Sequence, residues 1–110
     1  MDQDFSMYAG DTKIIQVTVT DSTGAPKDIT GATINWALQQ VYKTIIEKSI
    51  TTGGIVITDA TNGVFQILLL PIDTEGFSTG LYTHQALVID NNGTSEVIFT
   101  GTITFSDSLF

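Results

Sequence analysis

Apolar residues recur at every second position in short blocks along this chain, and Gly, Asn, Asp and Pro separate the blocks. That period predicts strands with one face buried and one wet, since successive side chains of a strand point to opposite faces. From Thr12 to Thr20, Ile15, Val17 and Val19 share one face, while Lys13, Gln16, Thr18 and Thr20 largely occupy the other. The run Asp21-Ser22-Thr23-Gly24-Ala25-Pro26 then turns the chain. From Ala32 to Gln39, Ile34, Trp36 and Leu38 alternate with Asn35, Ala37 and Gln39, which aims the single tryptophan inward as a core anchor. Val41 to Ile50 breaks the period at Ile45-Ile46; it reads as a strand with a bulge, with a short helical turn as the alternative.

Gly53-Gly54 and Thr61-Asn62-Gly63 bracket a small strand at Ile55-Val56-Ile57-Thr58. Val64 to Leu70 is nearly continuous apolar strand, stopped by Pro71, and Ile72 to Phe77 fits one helical turn. Leu81 to Asp90 and Glu96 to Phe105 pair around Asp90-Asn91-Asn92-Gly93, whose Asn and Gly tolerate the positive φ of a tight hairpin. The last strand turns Val97, Phe99, Ile103 and Phe105 to one face and sets Gly101 opposite a close neighbour or bulge. About seven short strands in 110 residues predict a single domain, 1–110, all-β and of the immunoglobulin-like sandwich kind. The expected core is Ile15, Val17, Val19, Ile34, Trp36, Leu38, Ile67, Leu69, Leu87, Ile89, Val97, Phe99 and Ile103.

Charge narrows the partners. Twelve acids stand against Lys13, Lys27, Lys43 and Lys48, with no arginine and a net charge of -8. Phosphate repels such a chain, so nucleic acid and anionic membrane are not expected partners. Cysteine is absent, which removes disulfides, thiolate nucleophiles and cysteine zinc ligands. The acidic start Met1-Asp2-Gln3-Asp4 does not look like a secretory signal, and no apolar run approaches a bilayer span, so synthesis in the cytoplasm is expected.

Four stretches resemble the small immunoglobulin-like domains of tailed bacteriophages, found at the N-terminus of baseplate upper proteins and in related tail or head-fibre proteins. They are Asp4-Phe5-Ser6-Met7-Tyr8-Ala9-Gly10-Asp11; Asp28-Ile29-Thr30-Gly31-Ala32-Thr33-Ile34; Asn62-Gly63-Val64-Phe65-Gln66-Ile67 with Asp73-Thr74; and Ser78-Thr79-Gly80-Leu81-Tyr82. Each also has its own physical reading. Ile29 can tuck under the sheet, Gly31 can turn the chain into strand geometry, and Tyr82 can reach backbone across a sandwich corner with its hydroxyl. The resemblance implies a virion component in a baseplate, tail tip or head appendage. It implies contacts with other virion proteins and with copies of itself, and no active site.

Candidate chemistry is thin. His84 is the lone histidine, on a predicted strand, and one histidine without cysteines makes no zinc site. No Gly-x-Ser-x-Gly elbow occurs, and Asp73 and Glu75, the nearest thing to a paired carboxylate, flank a turn, where acids usually cap. The expectation is therefore a protein that is not an enzyme, with no cofactor and no metal. Asp11, Asp21, Asp28, Asp59, Asp73 and Asp90 lie at loops and raise calcium as an alternative, without an EF-hand pattern. Asn92-Gly93-Thr94 fits a glycosylation acceptor, expected to stay unmodified without a signal peptide. Tyr8, Tyr42, Tyr82 and Phe77 raise a saccharide platform on a host-surface module as the alternative function. For the leading reading, the candidate interface residues are Phe5, Met7, Tyr42, Leu109 and Phe110, apolar groups available for burial in a neighbouring subunit, with exposed strand edges as a second mode of contact.

Overall fold

The computed structural model describes residues 4–40 and 43–106. Among them the chain forms eight strands and one short helix, in two sheets that close over a common core. The strands are β1 (Phe5–Tyr8), β2 (Lys13–Thr18), β3 (Thr33–Gln40), β4 (Lys43–Ser49), β5 (Ile55–Asp59), β6 (Val64–Leu69), β7 (Gly80–Ile89) and β8 (Ser95–Ser106). The helix α1 (Pro71–Thr74) lies between β6 and β7. One sheet has the order β1-β8-β7-β3-β4 and the other β2-β6-β5, with every pairing antiparallel except β1 on β8. The all-β, two-sheet expectation is met.

Alternation dictates most of the core. Ile15, Val17 and Val19 from the smaller sheet face Ile34, Trp36 and Leu38 from the larger, and Phe65, Ile67 and Leu69 complete the layer. Ile29 is buried beneath the loop before β3, and its N–H donates to the Ala60 carbonyl at 2.9 Å. The Ile45-Ile46 doublet sits at a bulge, where Leu38 pairs with Ile46 and Gln39 with Thr44. Pro71 opens α1 at its first position, where a missing N–H costs nothing, and the Asp73 carboxylate accepts the Leu70 N–H at 2.7 Å. Buried Thr74 accepts the Gly10 N–H at 2.8 Å through its hydroxyl, tying the helix to the β1–β2 turn.

Three expected core residues lie elsewhere. On β7 the inward series is Tyr82, His84, Ala86 and Val88, so Leu87 and Ile89 take the outer phase. Val97 is 51% exposed, because a bulge pairs Ala86 with Phe99 but Leu87 with Val97 and shifts the alternation between those two residues. The alternation read from Thr12 onward leaves out the segment before it, β1. It is itself a strand, parallel to β8, with Phe5 beside Ile103 and Met7 beside Phe105.

Candidate interaction surfaces

The residues with the richest chemistry are consumed by the fold. His84 is fully buried, and its Nδ1 accepts the Trp36 indole N–H at 3.0 Å. An indole nitrogen only donates, so that imidazole nitrogen presents a lone pair. The rings of Phe5, Trp36 and Phe99 surround the imidazole at centroid distances of 5.6, 5.9 and 5.1 Å. The Tyr82 hydroxyl donates to the Ser78 carbonyl at 3.1 Å, closing the corner after α1, while its ring stacks on Phe77 and meets Phe105 edge-on. Tyr82 and Phe77 are therefore core packing rather than a saccharide platform; Tyr8 is exposed, and Tyr42 lies outside the described residues.

Five of the six loop aspartates, all but Asp11, are engaged in structural bonds. Asp21 accepts hydrogen bonds from the Thr23 hydroxyl and from the N–H groups of Thr23 and Ala25, and Asp28 accepts from the Thr30 hydroxyl and N–H. Those bonds favour the charged form and hold both carboxyls below the ordinary aspartate value, the threonine hydroxyl contributing most in each case. Asp59 caps the β5–β6 turn through Asn62, and Asp90 accepts from the N–H groups of Asn92 and Thr94 in the β7–β8 hairpin. Asp73 pairs with Lys48 at 3.0 Å, so Asp73 and Glu75 do not stand as a free carboxylate couple. Among the described residues, no three His, Asp or Glu side chains gather as a metal site.

Of the expected interface residues, Met7 is 7% exposed and packs inward beside Phe105, because odd positions of β1 face the core, so it belongs to the core and not to the surface. Phe5 is half-buried, its ring set T-shaped against the His84 imidazole and its face 4.9 Å from the Lys13 Nζ, a cation–π contact. Tyr42, Leu109 and Phe110 lie outside the described residues.

Two outer sheet faces among the described residues stand open. On the outer face of the larger sheet, a groove of about 560 Å³ is lined by Asn35, Ala37, Glu47, Ser49, Gln85 and Leu87 among others. On the outer face of the smaller sheet stand Ile14, Val56, Leu68 and Leu70, with Ile72 exposed on α1 directly after them. Sequence reasoning passed over this second group by reading only the inward phase of each strand. The signal was present as adjacent apolar residues, Ile14-Ile15 and Leu68-Leu69-Leu70, which no strand can bury on one face. No protein-family model matches the chain, and no curated protein matches it either.

Proposed function

We propose that this chain is a non-catalytic structural domain of the immunoglobulin-like kind, built into the virion of a tailed phage or prophage at a baseplate, tail tip or head appendage. The observation that carries the reading is the strand order together with its corner. The second, fifth and sixth strands make one sheet and the third, seventh and eighth the centre of the other, an order that supports the immunoglobulin-like reading with β4 as an added edge strand. The Tyr82 hydroxyl bond to the Ser78 carbonyl at the start of β7 matches the tyrosine corner of such domains. β1 departs from the simplest form of the pattern by lying along the last strand instead of beside β2. The four stretches that resemble phage domains supply the virion context, and histidine and loop acids engaged in structural bonds support a role without catalysis.

Mass spectrometry of gradient-purified particles made from the genome that encodes the chain tests the proposal. Stoichiometric copies in the particle are expected; a chain confined to the infected-cell lysate overturns it. The groove beside Asn35 and Gln85 favours a second reading, a host-surface saccharide-binding module, since neutral amides and an acid beside Ala37 and Leu87 suit sugar hydroxyls and C–H faces. Saccharide-dependent amide shifts at Asn35 and Gln85 on a monomeric chain would select it.

A further inference from the structure

We infer that the outer face of the β2-β6-β5 sheet docks a different protein, one with an apolar contact centre and a rim of lysines or arginines. The inference rests on the reading of the chain as an assembly component and adds which face is used and what covers it. Ile14 is 55% exposed, Val56 61% and Leu70 45%. Ile14 pairs across the sheet with Leu68, Val56 is diagonal to Leu68, and Leu70, still extended, continues the outward series. Between them the Gln66 amide donates to the Gln16 side chain at 3.2 Å, so the polar centre of the face is already paired. Among the outward positions of these three strands the one ionisable side chain is Asp59, at the end of β5 and at the rim; Ile14, Gln16, Thr18, Val56, Val64, Gln66 and Leu68 carry no charge. An apolar centre without charge is the composition of an interface core.

The rim decides the partner. Asp11 and Glu75 are exposed at the Leu70 end and Asp59 at the opposite end, and none pairs with a cation among the described residues. Nearby lysines are turned elsewhere: Lys13 to the Phe5 ring, Lys27 to Glu96, Lys48 to Asp73. Two copies laid face to face would bring acid against acid at both ends, each chain carrying a net charge of -8. A basic-rimmed partner gains at every such position, chiefly in encounter rate and register.

The test places photoreactive benzoylphenylalanine at Ile14 or Val56, and as a control at Thr100 on the outer face of the larger sheet, in full chains carried into particles. Crosslinks from Ile14 and Val56 to a virion peptide flanked by lysines or arginines, with none from Thr100, are the expected result. Ile14→Glu and Val56→Glu should each lower incorporation at least tenfold while the circular dichroism spectrum is kept. Crosslinks joining two copies of this chain, or arising from Thr100 alone, overturn the inference and leave the virion reading standing. A chain missing from particles overturns both.

Discussion

The indole of Trp36 carries two duties at once, filling the space between the sheets and donating to His84 inside it. Trp36→Phe keeps an aromatic ring but removes the donor and part of the volume. It should destabilise the domain by about 2–4 kcal/mol in urea titrations. A loss below about 1 kcal/mol would mean that the indole–imidazole bond is not a support of the core. Asp21 and Asp28 act at the same scale on the surface. Their folded carboxyls sit below the ordinary aspartate value of 3.8, so what they add is present above that value and lost as pH falls through the lowered folded one. Carboxyl carbon NMR titrations should place both midpoints below 3.8, and Thr23→Val and Thr30→Val should each move its neighbour's midpoint back upward. Both side chains are fully exposed, so the titration, not the melting curve, is the measurement that reads them.

Turns and edges set the register of the elements. Gly63 has a φ of +73°, and a Cβ there would stand 2.5 Å from the Lys27 carbonyl oxygen and 2.7 Å from that of Val19. Those are backbone atoms held by neighbouring strand ends, with the Val19 N–H on the Gly63 carbonyl at 2.8 Å and the Lys27 N–H on Val19 at 2.9 Å. Gly24 has a similar φ of +86° with open space around it. Gly63→Ala should therefore cost about 2–4 kcal/mol and Gly24→Ala about 1 kcal/mol, since only the first adds a backbone collision to the left-handed penalty. Equal shifts of the thermal midpoint in the two variants would contradict that account. The strands themselves were legible wherever one face alone is buried, as in Ile15-Val17-Val19 and Ile34-Trp36-Leu38. They were less legible where both phases are apolar, as in β7, where Leu81, Leu87 and Ile89 compete with Tyr82, Ala86 and Val88 for the same assignment. The bulge before Phe99 was hidden for a related reason: one extra residue reverses the phase of Val97 without changing composition.

At the scale of the whole molecule, β1 covers the edge of β8. Met7 joins the core, Phe5 shields His84, and the Asp4 carboxylate accepts the Thr102 N–H at 2.8 Å. A chain lacking residues 1–8 should melt at lower temperature and form soluble aggregates on size-exclusion chromatography. The uncovered β8 edge would offer unpaired backbone groups to other chains. Retention as a monomer with an unchanged melting point would show that β1 is dispensable. The molecule is elongated, 44 × 22 × 21 Å, with its open surfaces on the two outer sheet faces.

Local pattern alone determined that this chain is all-β, where most strands begin and end, and that the tryptophan points inward, because period-two burial and turn residues act over a few positions. Composition fixed the net charge of -8. Tertiary structure decided the rest. The parallel seat of β1, the use of His84 as a core acceptor, the burial of Met7 and the apolar outer face of the smaller sheet depend on which strands become neighbours. Those neighbours lie tens of residues apart in sequence, and no local alternation encodes their choice.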